Sequence, residues 1–122
     1  MQKIEGTTIK LNRGDILSFV LTIDNGDDPY TFQEGDKITF SVYSKGKMNE
    51  KAVLLKEVDA TPNATSLTIE CTNEDTKIGD LINKPMEYWY ELELNNEYTI
   101  LGYDESGAKQ LILYPEGSKL QW

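Results

Sequence analysis

Twenty-one Asp and Glu side chains, twelve Lys and Arg and no histidine set the chemistry open to this chain. Without histidine, the His-dependent triads and dyads and most catalytic zinc sites lack their base or ligand. Carboxylate chemistry remains. Glycoside hydrolysis needs two carboxyl groups about 5 to 10 Å apart, and Glu91 and Glu93, two residues apart on a strand, would stand about 7 Å apart on one face. No cleft is legible around them, so no enzymatic activity and no cofactor are expected. Asp24, Asp27 and Asp28 could offer oxygens to calcium, but they lack the alternate acidic positions and distant bidentate Glu of an EF-hand loop. They read as an acidic turn, and no metal site is expected. The lone cysteine, Cys71, excludes an internal disulfide and lies in phase with Leu67 and Ile69, as a small buried apolar residue would. Arg13-Gly14-Asp15 spells an adhesion tripeptide, yet it falls where a turn between strands is needed anyway. Asn63-Ala64-Thr65 matches a glycosylation sequon, which has meaning only in a secreted chain.

Trp89 carries the most informative signal. In Glu87–Ile100, EYWYELELNNEYTI, Tyr88, Tyr90, Leu92 and Leu94 share one parity, and Glu87, Trp89, Glu91 and Glu93 share the other. A strand with one buried and one wet face alternates in this way. Trp89 should therefore point outward among the three glutamates. A large aromatic on a wet face marks either a contact surface or a site covered by another part of the chain, here the segment before the strand or the C-terminal tail. Glu87, Trp89, Glu91 and Glu93 form the candidate protein-contact surface.

The net charge is −9, unevenly placed. Residues 1–61 hold 8 basic and 10 acidic groups, and residues 62–122 hold 4 and 11. Phosphate-rich partners would be repelled, so neither nucleic acid nor membrane is an expected partner. The acidic strand face fits either a basic partner or a solvated surface that resists aggregation. No apolar run approaches the roughly 18 residues of a membrane span, and the N-terminus shows no secretory signal.

The elements around this strand read as β throughout. Strands are expected at 4–11, 16–23, 37–44, 52–59, 65–72, 87–94, 97–101 and 111–114, with turns at Asn12–Asp15, Asp24–Pro29 and Thr61–Ala64. The 52–59 segment has mixed phase and suits either a bulged edge strand or one covered on both sides. Asn95-Asn96 tolerates positive φ and should close a tight hairpin. Residues 73–86 do not alternate. Asn73 as cap, acids in the first turn and Ile78, Leu81 and Ile82 on one face predict a short helix or 3₁₀ segment stopped before Pro85. The sum is one domain, 1–122: an antiparallel β-sandwich of about seven to nine strands with one short helical insertion. A small barrel is the alternative. Amphipathic helices of crossover length, which a parallel α/β sheet would need, are missing from the pattern.

The order of motifs is specific. An Arg-Gly-Asp turn feeds the strand at 13–23, followed by Gly35-Asp36 and the strand Ile38–Tyr43, TSLTIECTNEDT at 65–76, the Tyr-rich strand 88–94 and Thr-Ile-Leu-Gly at 99–102. This series resembles the small immunoglobulin-like tail and baseplate proteins of phages and prophages of Gram-positive bacteria. It is similar to the N-terminal domain of the phage baseplate upper protein. The resemblance implies an immunoglobulin-like sandwich and a non-enzymatic structural role in the virion, with assembly from the bacterial cytoplasm. It implies partners among other tail or baseplate proteins, or copies of the same chain. A carbohydrate- or surface-binding module of a cell-envelope protein is the rival. The segment from Asp75 to Tyr88 looks longer than that family's usual link, and a stand-alone module without a receptor-binding or fibre domain is expected.

Overall fold

In the computed structural model, which describes residues 2–80 and 83–116, every regular element is a strand. In chain order these are β1 (Lys3–Glu5), β2 (Thr8–Asn12), β3 (Leu17–Leu21), β4 (Asp24–Asn25), β5 (Asp28–Pro29), β6 (Lys37–Ser44), β7 (Leu54–Asp59), β8 (Leu67–Cys71), β9 (Met86–Leu94), β10 (Tyr98–Leu101) and β11 (Lys109–Tyr114). Seven of them form one sheet in the order β1-β2-β11-β9-β6-β7, with β10 also on β9. β3 and β8 form a second sheet, and β4 and β5 a minimal ribbon. The fold is all-β.

β9 is the axis of the large sheet. β6 runs antiparallel along one side of it, from Ile38 opposite Leu94 to Ser44 opposite Tyr88. On the other side β11 covers its first half and β10 its second. Tyr88, Tyr90, Leu92 and Leu94 are buried, as the alternation requires. They meet Phe40 and Val42 of β6 and Leu17, Ile69 and Cys71 of the small sheet in a single apolar core. Aromatic edges link the layers: Phe19 of β3 meets Phe40 at 5.5 Å, and Phe40 meets Tyr90 at 5.5 Å. Phe32, wholly buried, is pinned by main-chain bonds Phe32 N to Ala64 O and Asn63 N to Phe32 O, both 2.8 Å. Desolvation pushes the Cys71 thiol up to about 11, so it is an inert core side chain.

The hairpin after β9 closes as its sequence requires, with Asn95 and Asn96 at φ +54° and +56° and Glu97 N bonded to Leu94 O. Asn95 also ties this turn to the start of β6. Its side chain accepts from Lys37 N at 2.8 Å and donates to the Asp36 carboxylate at 2.9 Å. Asp36 collects Tyr30 Oη and Gln33 N as well, and these three donors hold its carboxyl below the ordinary range.

Five expectations need correction. Residues 4–11 do not form one strand: Gly6, at φ +61°, folds them into the β1–β2 hairpin. The acidic turn at 24–29 carries the β4–β5 ribbon, and with the split first strand this raises the number to eleven strands. The large sheet is mixed, because β2 runs parallel to β11, Ile9 opposite Leu111 and Asn12 opposite Tyr114. The chain turns at Asn12–Asp15 out of one layer and into the other, so β2 is free to run beside the last strand. β7 is a sheet edge with an unbroken register to β6, without the bulge that one of its two readings carried.

The fifth correction is the helix or 3₁₀ segment within 73–86, which does not form among the described residues; Leu81 and Ile82 lie outside them. Its start is present. Thr72 Oγ1 accepts from Asp75 N, and the Asp75 carboxylate accepts from Thr72 N at 2.8 Å, a reciprocal cap one residue earlier than expected. A single turn follows, Thr76 N to Thr72 O. Then Arg13 intervenes. Its guanidinium donates to the carbonyls of Lys77, Ile78 and Gly79, the acceptors that a continuing helix would use. Gly79, at φ +68°, turns the chain away.

Arg13 is itself 9% exposed and also donates to the Glu116 carboxylate, equally buried. The adhesion tripeptide is therefore a structural clamp joining the turn before β3, the 77–79 segment and the chain beyond β11. Replacing Arg13 with Ala removes the guanidinium from a buried carboxylate and several carbonyls, so urea unfolding should show a loss of about 3–5 kcal/mol. Unchanged stability would mean that the clamp is not formed.

Candidate protein-contact face

The face of the large sheet turned away from the core is built by the odd residues of β9 and the strands in register with them. Tyr43, Ser41 and Thr39 of β6 stand opposite Trp89, Glu91 and Glu93. Gln110 and Ile112 of β11 stand opposite Trp89 and Glu87. The sequence assigned Glu87, Trp89, Glu91 and Glu93 to one face, and all four lie on it, each half-buried rather than fully wet. Ser41 and Thr39 are buried beneath their longer neighbours, so this face has an inner layer of small hydroxyls under a canopy of aromatic rings and carboxylates.

Trp89 is partly covered by Glu87 and Tyr103; the C-terminal tail, one of the two segments expected to cover it, lies outside the described residues. The indole N–H donates to Glu87 Oε2 at 2.8 Å, and the ring meets Tyr103 at 5.8 Å with an interplanar angle of 55°. Tyr103 lies in the connection from β10 to β11 and is 62% exposed. This connection can press onto the face because Gly102 has no side chain. A Cβ there would come within 2.9 Å of Thr99 Cγ2 and 3.4 Å of Glu91 Cβ. Beyond Tyr103 the loop closes between Asp104 and Gly107, and Asp104 receives the buried Lys109 ammonium at 2.9 Å.

The three carboxylates are not equivalent. Glu87 is held below the ordinary range, chiefly by the Trp89 N–H, with Lys45 3.6 Å away. Glu91 accepts from Tyr43 Oη at 3.2 Å. Glu93 is raised, first by partial burial and then by the charge and hydrogen bond of Glu91 beside it. The pair therefore includes one carboxyl whose ionised form is disfavoured by its surroundings. A cation brought by another molecule would relieve it.

Tyr103 and Gly102 belong to this face and were missed by sequence reasoning. Thr-Ile-Leu-Gly directly before a tyrosine was the available signal, since a glycine ending a strand permits close approach over a neighbour. Other candidates stay apart from this face. Asp24, Asp27 and Asp28 lie exposed on the β4–β5 ribbon, and Cys71 is in the core. Asn63, at φ +70°, serves a turn. Among the described residues no three His, Cys, Asp or Glu side chains converge to hold a metal.

Compared with models of protein families, with curated proteins and with solved structures, the chain matches none.

Because folding raises the Glu93 pKa, the ionised form weakens the native state once the pH lies above that raised value. Glu93→Gln should raise the melting temperature at pH 7 by about 2 °C. The gain should shrink as pH falls through the raised pKa and the wild-type carboxyl protonates. A gain that persists undiminished at acid pH would contradict the Glu91–Glu93 coupling.

Proposed function

We infer that the chain is an immunoglobulin-like β-sandwich acting without catalysis in a phage or prophage tail or baseplate. It would pack its outer sheet face against tail proteins or against copies of itself in the virion, after synthesis in the bacterial cytoplasm. Support for the immunoglobulin-like reading comes from strand order. With β3 and β8 as B and E, the facing series β11-β9-β6-β7 matches the G-F-C-C′ order of a variable-type sheet. Support for the tail reading is the motif series from Arg13 to Gly102 described above.

One observation carries the contact role: the face around Trp89 joins an exposed aromatic shelf to an unrelieved carboxylate pair. Tyr103 provides rigid amphipathic area beside Trp89, and Leu55, 65% exposed, lies across from Ser41 on the same face. Apolar anchors with adjacent charges are what an interface uses for affinity and orientation. Glu91 and Glu93 would accept Lys or Arg side chains.

Size-exclusion chromatography with light scattering, on the chain alone and mixed with neighbouring tail gene products, tests this reading. A complex or oligomer should form and be weakened at least tenfold by Trp89→Ala or Tyr103→Ala. If association survives both variants while only thermal stability falls, the aromatics are packing residues and the contact face is elsewhere. Binding to a glycan array in place of tail proteins would favour the carbohydrate-module rival.

A further inference from the structure

β3 presents an edge that a side chain already occupies. Among the described residues its ladder partner is β8 alone. At the opposite edge the side chain of Gln2 does what a neighbouring strand would do: its amide nitrogen donates to Ser18 O at 2.7 Å, and its oxygen accepts from Ser18 N at 2.8 Å. Ser18 N–H and C=O therefore point away from β8. Antiparallel alternation then sends the Val20 N–H and C=O the same way.

The edge is also apolar. Val20 is 66% exposed and Ile16 54%. The edge strand β7 of the large sheet carries Lys56, Glu57 and Asp59 and a Lys37–Glu57 ion pair, the charged guard that keeps foreign strands off. β3 has no such guard. Beside it opens a groove of about 180 Å³ between the layers, lined by Ile4, Phe19, Val20, Leu21, Leu92 and Leu101. A strand added to β3 would direct every second side chain into this groove.

We propose that the β3 edge, from Ser18 to Val20, is a strand-acceptor site. It takes an extended segment of a partner protein that is apolar at alternate positions and basic at the end reaching Asp24–Asp28. The occupant follows from three features. The group already on the edge is a primary amide making the paired bonds of a peptide backbone, so the ligand is a peptide. The groove admits one or two aliphatic side chains, so alternate positions are apolar. β3 leads directly into the exposed Asp24, Asp27 and Asp28 of a chain with net charge −9, so complementary charge is positive. An antiparallel segment would bring its N-terminal residues to that acidic ribbon. Gln2 is a removable plug that leaves as the segment enters. This site is separate from the outer face around Trp89 and does not depend on its role.

The probe is a synthetic peptide of alternating threonine and valine with two N-terminal lysines, titrated into the 15N-labelled full chain. Amide signals of Ser18 and Val20 should shift, and the Val20 amide should become protected from hydrogen exchange. Gln2→Ala, which removes the plug, should tighten binding about fivefold. Val20→Pro removes an outward donor while leaving the bonds to β8, and should weaken binding at least tenfold. Neutralising Asp24, Asp27 and Asp28 together to Asn leaves the ladder untouched, and should weaken binding and flatten its salt dependence. Trp89→Ala should leave the titration unchanged, which separates this site from the contact face. The proposal is overturned if the peptide fails to bind the Gln2→Ala variant at millimolar concentration, or if β7 amides respond instead. It is equally overturned if the Gln2→Ala chain self-associates through Val20 without peptide, since the occupant would then be a second copy.

Discussion

β9 must satisfy two conditions at once, and the rest of the fold answers to them. Its main chain is paired on both sides, by β6 along its length and by β11 and then β10 on the other flank. Its side chains must separate completely, rings and leucines inward and carboxylates and Trp89 outward. A one-residue slip against β6 would bury Glu87, Glu91 and Glu93 and expose four core side chains. The cost of desolvating unpaired carboxylates makes that slip prohibitive, so the register of the whole large sheet is fixed by the pattern of this one strand. The Asn95-Asn96 turn and its bonds to Asp36 and Lys37 lock the same register from the end.

Buried polar groups then fix what apolar packing leaves free. Phe40, Tyr90 and Leu17 would tolerate some sliding of the layers, because dispersion contacts have little direction. Arg13 does not. Its planar fork needs carbonyls and a carboxylate at set positions, and it obtains them from segments more than sixty residues apart in sequence. Asp36 performs the equivalent task at the other end of β6, with Tyr30, Gln33 and Asn95 as donors. No buried side-chain nitrogen or oxygen among the described residues lacks a partner, consistent with these groups acting as locators rather than as stored strain.

How much of this was legible depended on range. Period-two alternation gave β6, β8, β9 and β11 to within two residues at each end, because each sends its apolar residues to one face and the signal is local. The Asn95-Asn96 turn was legible for the same reason. The helix at 73–86 was not stopped by anything nearby in sequence except Gly79; its real terminator is Arg13, which reaches it from the other layer. The parallel pairing of β2 with β11 joins the two ends of the chain and leaves no local trace. On the contact face, β9 parity placed Glu87, Trp89, Glu91 and Glu93 together correctly. It could not supply Tyr103, which arrives from another connection, or the burial of Ser41 and Thr39 beneath neighbours. Gln2 as a stand-in for a strand is invisible in sequence, since nothing distinguishes it from any polar residue near a terminus.

The two surfaces singled out here follow from the same architecture. A strand paired on both sides can offer a partner only its outward side chains, and the proposed contact face of β9 is accordingly Trp89 and the glutamates. A strand paired on one side offers its backbone, and β3 does so behind Gln2. Both depend on β9 standing in the centre of the sheet with its odd residues outward. Native-state amide hydrogen exchange measures that directly. The amides from Tyr88 to Leu94 should be among the slowest in the protein, opening only with global unfolding, and far slower than those of the β4–β5 ribbon. Exchange of Tyr90 and Leu92 as fast as the ribbon would contradict the account.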